Sequence, residues 1–411
     1  MTNDDARRRA EAAARVSYGR LVALLSARTR DIAAAEDALA DAFLAALETW
    51  PARGVPANPD AWLLTAARNA AASRGRKTAT ALAAMAELER RSEERMTGGD
   101  FPDERLKLLF VCAHPAIDSG VRTPLMLQSV LGLDAARIAR AFLVPAATMS
   151  QRLVRAKVKI RDAGIRFAVP DPDALEDRLE DVLAAVYAAY GTGWDALGGA
   201  DEHATGLAQE AIYLARLIVS LLPAEPEAKG LLSLMLHCEA RHAARRGVKG
   251  TFVSLDRQDV SLWDRELIAE AEQLLAEASR HRRFGRFQCE AAIQSMHVQR
   301  GITGTRDLDA LQALYDLLWQ RTGSLGAAVG RSAVLIERNR PADALAALDA
   351  LPPEKTERYQ PCWVVRAKAL TALDRGAHAA DALTRAIDLT DDPAVRAFLV
   401  EERETLAIRP R

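Results

Sequence analysis

Apolar residues recur at helical spacing along most of this chain. From Asp31-Ile32 to Trp50, Leu39, Phe43, Leu47 and Trp50 fall on one side of a 3.6-residue period, and Asp37, Asp41 and Glu48 cluster nearly opposite. The pattern predicts a helix with an apolar core side and an acidic stripe, stopped by Pro51. A second helix is predicted from Asn58-Pro59-Asp60, where a capping amide, a first-turn proline and an early carboxylate suit a helix start. Trp62, Leu63, Ala66 and Ala70 are expected to face inward along it, leaving Arg68, Asn69, Arg74, Arg76 and Lys77 as a basic, amide-bearing end. The polar stretch that follows, closing on Gly98-Gly99-Asp100, reads as a linker.

From Ala135 the pattern is helix, turn, helix. Ile138 and Phe142 bury the first helix, Val144-Pro145 breaks the chain, and Met149, Leu153, Ala156 and Ile160 make one apolar face of the second. Thr148, Gln151 and Arg155 point away from that face, flanked by Arg152, Lys157 and Lys159. Amide and guanidinium groups suit base edges in the major groove, and ammonium groups suit phosphates. The same basic helix could be plain surface; a membrane-lying role is disfavoured because its apolar side has no interfacial aromatics. Directly after it the charge changes sign through Asp171, Asp173, Glu176, Asp177, Glu180 and Asp181, either a contact from the tail back to the helical block that begins near Phe101 or to the linker before it, or a solvated connector.

The remainder reads as amphipathic helices broken at Leu222-Pro223, Gly247, Gly301, Gly323 and Pro352-Pro353. Leu308-Asp309-Ala310-Leu311 recurs as Ala342-Asp343-Ala344-Leu345, at about the 34-residue tetratricopeptide period. Trp363, Ala367, Leu370, Ala379, Leu383 and Ala386 then supply alternating large and small positions for a helix pair, which an ordinary helical hairpin would also show.

Composition narrows the function classes. With 49% hydrophobic residues, 5% aromatics and a net charge of -1, nothing global draws the chain to nucleic acid, so any such contact must come from local segregation of charge. No run reaches the roughly 20 apolar residues of a membrane helix, and the start lacks a secretory core, so a cytoplasmic protein is expected. The four cysteines lack CxxC spacing, and Cys112 with His114, or His237-Cys238 with His242, fall short of a metal-ligand set. No nucleophile with an adjacent base and no phosphate-cradling loop occurs, so neither enzymatic chemistry nor a cofactor or metal is expected.

The segments AEDALADAFLAALETW (Ala35 to Trp50) and AWLLTAARNAAASRGRK (Ala61 to Lys77) resemble region 2 of extracytoplasmic-function sigma factors. The stretch from Asp103-Glu104-Arg105 to Ile160 is similar to their region 4, and segments such as Glu210 to Arg246 resemble the group with a C-terminal tetratricopeptide-like extension. The resemblance implies an all-α protein: a region 2 helical bundle over 1–78, a linker over 79–101, a region 4 helix-turn-helix over 102–168, a helical extension over 173–300 and tetratricopeptide-like repeats over 301–411. It implies core RNA polymerase (beta-prime clamp and beta flap) and promoter DNA as partners, with a regulatory protein on the tail and no membrane. Asp37, Asp41 and Phe43 then fall on the polymerase-docking helix. Arg68, Asn69, Arg74 and Arg76, with the loop Pro51 to Pro59, fall on the surface that opens the minus-ten element. Thr148, Gln151, Arg152, Arg155 and Lys159 fall on the helix that reads the minus-thirty-five element. Ser73, Arg137 and Leu143 depart from the family's usual residues, and Ala188-Ala189-Tyr190-Gly191 stands in place of an Asn-Glu-Gly-Tyr-like run.

Overall fold

The computed structural model describes residues 17–75, 103–142, 144–195, 202–247 and 250–408. Among these the protein is all-helical, with a single isolated bridge between Arg246 and Phe252. Contacts divide the chain into two compact units, Met1–Thr192 and Gly193–Arg411.

The first unit begins with a helix over residues 17–29 (α1), followed by α2 (Ile32–Arg53) and α3 (Pro59–Gly75). Asp31 caps α2 through the Ala34 amide at 3.0 Å, and Asn58 caps α3 through the Ala61 amide at 3.1 Å, so both expected starts hold. The expected stop does not. Pro51 sits inside the last turn of α2, and the helix ends instead at Gly54, whose φ of 86° closes it with a bond from its amide to the Trp50 carbonyl. The loop before α3 is correspondingly shorter than Pro51 to Pro59.

The buried stripe of α2 also differs from expectation. Ile32, Ala35, Ala38, Leu39, Ala42, Ala46 and Trp50 are buried, while Phe43 is half-buried and Leu47 is 42% exposed. Alanines carry the core side because α2 lies close against its neighbours. In α3 the buried residues are Leu63, Leu64 and Ala67; Trp62, Ala66 and Ala70 are only half-buried, with the Trp62 ring edge-on to Trp50 at 5.5 Å.

The unit continues through α4 (Arg105–Cys112), α5 (Ser119–Leu131), α6 (Ala135–Ala141), α7 (Ala146–Asp162) and α8 (Pro172–Asp195). Helix α1 lies so close to the end of α5 that a Cβ on Gly19 would meet the Val130 carbonyl oxygen at 1.9 Å. Ser17 joins this corner to α3, its hydroxyl donating to Asp60 Oδ1 at 2.6 Å.

In the second unit, α9 (Glu202–Leu221) is followed by α10 (Pro226–Glu239), whose residues Pro226 to His237 are all buried except Glu227. Packed against α10 are α11 (Arg265–Ser279) and α12 (Arg286–Thr303). Gly285 caps α12 without a side chain, and the carboxylate of Glu227 takes that role from α10, accepting the Phe287 and Gln288 amides at 2.8 and 3.1 Å. Gly301 is interior to α12, which ends at Gly304 in the left-handed region, so the break expected at Gly301 falls three residues later. Helices α13 (Leu308–Thr322), α14 (Leu325–Glu337), α15 (Pro341–Asp349), α16 (Pro353–Thr356), α17 (Gln360–Ala372), α18 (Gly376–Asp388) and α19 (Pro393–Ile408) then follow, each packed on the next except that α15 packs on α17 across the short α16. Ala367, Leu370, Ala379, Leu383 and Ala386 share one core between α17, α18 and α19, with Trp363 packed on it.

Burial, with Arg241 beside it, pushes His237 down to about 3, and burial with Arg241, Arg306 and Arg300 nearby pushes His297 down to about 4. Both rings stay neutral in the folded chain at pH values where the unfolded chain, with histidines near 6.5, is protonated. The unfolded state then binds more protons, so stability is full above about pH 6.5 and falls toward pH 4, by up to about 1.4 kcal/mol per pH unit for each ring. Thermal unfolding from pH 7 to pH 5 is expected to show this decline, and His237→Phe to reduce its slope by about one proton.

Candidate nucleic-acid interface

Three helices of the first unit, α2, α3 and α7, carry the residues singled out by the sequence. On α2 the side turned from the core presents Asp37 and Glu48, exposed, with Asp41 and Phe43 half-buried. Leu44 is 60% exposed and, with Leu47, lies among these carboxylates, two leucines that periodicity alone had not placed there. An apolar centre rimmed by carboxylates has the composition of a protein-docking patch. The clue in the sequence was the position of Leu44, three residues beyond Asp41 and seven beyond Asp37.

Along α3, Asn69 is exposed and Arg68 half-buried. Arg74 sits on the last turn of the helix, and Arg76 and Lys77 lie outside the described residues. The half-exposed indole of Trp62, at the start of α3 beside the loop over residues 54–58, adds an aromatic face where periodicity predicts a core position.

Helix α7 is the clearest surface. Pro145 stands at its N-cap, and Met149, Leu153, Ala156 and Ile160 are buried at the expected spacing. Gln151, Arg152, Arg155 and Lys159 are exposed and Thr148 is half-buried, so the amide and cationic groups share the open side. Val154, 59% exposed, lies between them and offers an apolar contact of the kind that fits a thymine methyl group. Lys157 departs from its expected place beside the phosphates. It is 7% exposed, and its ammonium bonds Glu36 Oε2 on α2 and Gln128 Oε1 on α5, the latter at 2.6 Å. Sequence reasoning had no means of seeing this, because Glu36 is 121 residues away.

Helix α8, which carries the acidic junction, packs on α4 and α5. Arg122 Nη1 pairs with Asp181 Oδ1 at 2.5 Å, the Thr123 hydroxyl donates to the Ala185 carbonyl at 2.9 Å in a buried bond, and Arg178 Nη2 donates to the Phe110 carbonyl at 2.7 Å. Leu179, Val182, Leu183 and Val186 are buried along the same helix. Glu176, Asp177 and Glu180 remain exposed, so Asp181 makes a contact while these neighbours face solvent.

Residues 15–80 match the family described as Sigma-70 region 2, which covers α2 and α3 together. A protein of Rhizobium meliloti (strain 1021), described as uncharacterized, is 35% identical over 389 residues, spanning 93% of this chain and 92% of its own length. The chain belongs to the sigma-70 family. Proteins of the sigma-70 family are transcription initiation factors rather than enzymes, and region 2 implies core RNA polymerase and promoter DNA as partners. Residues 178–279 match a family of unknown function (DUF6596), a segment that runs from α8 to the end of α11. Helices α6 and α7 fall between the two matched segments of this sigma-70 protein. No solved structure matches the chain. No helix among the described residues is long and apolar enough to cross a membrane.

The Arg122–Asp181 pair is partly screened from water, and its loss is expected to cost about 1 kcal/mol. Arg122→Ala should therefore speed amide exchange in the first three turns of α8 by roughly fivefold, with exchange in α10 unchanged, as read by hydrogen-exchange mass spectrometry on the full chain.

Proposed function

We propose that this chain is a sigma factor of the extracytoplasmic-function type, which binds core RNA polymerase, recognises two promoter elements and opens the DNA between them and the start site. The single observation that carries this reading is the order of two surfaces in one chain: a matched region 2, then a helix-turn-helix whose polar side faces solvent. In this reading Asp37, Asp41 and Phe43, with Leu44 and Leu47, dock on the beta-prime clamp. Arg68, Asn69, Arg74 and Arg76, together with the loop over residues 54–58, hold the minus-ten strand. Trp62 lends a stacking face, since opening a duplex exchanges base stacking for new contacts at a few kcal/mol per step. Thr148, Gln151, Arg152, Arg155 and Lys159 read and grip the minus-thirty-five element, with the beta flap as the second polymerase contact.

The tail is the regulatory part of this reading. Helices α13, α15 and α18 begin at Leu308, Pro341 and Gly376, close to the tetratricopeptide period, which supports a repeat domain over 301–411 as a landing surface for a protein partner. The placement of α8 against α4 and α5 supports a physical link from the extension to the helix-turn-helix. A role on RNA polymerase places the protein in the cytoplasm.

In vitro transcription with purified core polymerase, with permanganate footprinting of the promoter, tests this reading. A promoter-specific transcript with reactive thymines near the start site is expected. Duplex binding without core enzyme and without melting would instead identify a helix-turn-helix regulator. Arg155→Ala or Gln151→Ala is expected to cost about 1–3 kcal/mol and to relax sequence preference at single positions. Arg152→Ala or Lys159→Ala should weaken all promoters alike and lower the salt slope by about one.

A further inference from the structure

The turn after α4, the segment over residues 163–171 and the first turns of α8 line a cleft of about 440 Å³ that lies wholly within the first unit. That volume falls in the range of pockets that take small molecules. Phe110 and Ile165, both buried, give it apolar wall. Three side chains with nitrogen donors share the lining. His114 accepts the Ala116 amide at Nδ1, at 3.1 Å, so the neutral ring carries its proton on Nε2 and offers it as a donor. Arg178 donates from Nη2 to the Phe110 carbonyl at 2.7 Å, which holds the guanidinium at the wall, and its Nε is shielded from water without an acceptor. Arg166 is exposed and makes no hydrogen bond or ion pair among the described residues.

The charges of the lining favour an anion. The guanidiniums of Arg166 and Arg178 stand against one carboxylate, that of Asp171, which is itself exposed. Arg122, close by, is already paired with Asp181. Burial, with Arg178 and Arg122 nearby, holds His114 below its ordinary range, and burial with Arg122 beside it holds Arg178 down as well, against the pull of Asp181. A carboxylate or phosphate placed among such groups relieves their mutual repulsion and accepts from guanidinium and ring N–H together. None of these side chains lies on the face of α7 assigned above to the promoter.

We propose that this cleft binds a small organic anion, a carboxylate or phosphate ester on a compact apolar body, held by Arg178, Arg166 and His114. The apolar body rests against Phe110 and Ile165, and the charged end meets the donors. A free small molecule fits this lining better than a phosphate of DNA, because the donors of Arg178 are recessed and a phosphate fixed on a duplex cannot follow them inward. The bound anion joins the turn after α4 to α8, and Arg178 is the residue at which the match to the family of unknown function begins. Occupancy therefore fastens the start of that matched segment to the block that carries the helix-turn-helix. This assignment goes beyond the sigma-factor reading and stands without it.

Calorimetric titration of the full chain with phenyl phosphate, benzoate and inorganic phosphate tests the assignment. Saturable, submillimolar binding of phenyl phosphate or benzoate is expected, about tenfold tighter than that of inorganic phosphate because apolar contact adds to the charge contact. Arg166→Gln, at an exposed position without a structural bond, should weaken it by roughly tenfold, and Arg178→Lys, which keeps the charge and loses the planar fork, by a similar factor. Arg152→Gln, on the open side of α7, should leave the affinity unchanged. The bound probe should also slow amide exchange in the first turns of α8 by about fivefold. No saturable binding of any probe at millimolar concentration overturns the proposal, as does binding that Arg166→Gln leaves intact or that Arg152→Gln weakens equally. Inorganic phosphate binding as tightly as the organic probes identifies a simple ion site and overturns the organic ligand. Displacement of phenyl phosphate by a duplex without promoter sequence, with duplex affinity that falls in Arg166→Gln, assigns the cleft to a DNA phosphate and overturns the small-molecule site.

Discussion

The first unit is organised around a lysine that has been removed from water. An ammonium buried to this depth is tolerable only where a carboxylate and further acceptors meet it, and Lys157 finds Glu36 and Gln128 at the meeting of α2, α5 and α7. Removing one member of such a set leaves the other charge stranded, at a cost of about 3–5 kcal/mol, whereas the intact set adds little beyond specificity. The relative placement of these three helices therefore depends on a few polar atoms as much as on apolar area. The small residues of α2 allow it: Ala35, Ala38, Ala42 and Ala46 bring the helix close enough to its neighbours for Glu36 to reach across.

The same economy of side-chain size governs other helix contacts. Gly19 lets α1 lie against the end of α5, and Gly230 lets α10 lie against the start of α12, where a Cβ would stand 2.6 Å from the Gln288 amide nitrogen. In the second unit this closeness brings Glu227 to the N-terminus of α12, so that one carboxylate satisfies amides that no local side chain caps. His237 and His297 are the counterpart: neutral rings held among arginines, stable only while they remain unprotonated.

The acidic junction illustrates how a charge pattern divides on folding. Asp181 pairs with Arg122 on α5, while Glu176, Asp177 and Glu180 stay in solvent. Both readings of that run, contact and connector, thus apply to different residues of it. Helix α8 belongs to the packing of α4 and α5 and also opens the segment matched by the family of unknown function, so that matched segment starts inside the first unit.

Periodicity and capping chemistry by themselves determined the helical class, the starts of α2 and α3, the turn before α7 and the buried face of α7, because each depends on neighbours within a few residues. They misplaced Pro51, Leu47, Trp62 and Lys157. A proline in a last turn loses little, so the stop passed to Gly54, where a positive φ was available. Alanine reads as neither core nor surface, so the sequence could not show that an alanine stripe would be buried while Leu44 and Leu47 turned outward. Only the tertiary structure decided that Lys157 faces Glu36, since the free energy of burying a charge is set by partners brought from distant parts of the chain and no local pattern encodes them.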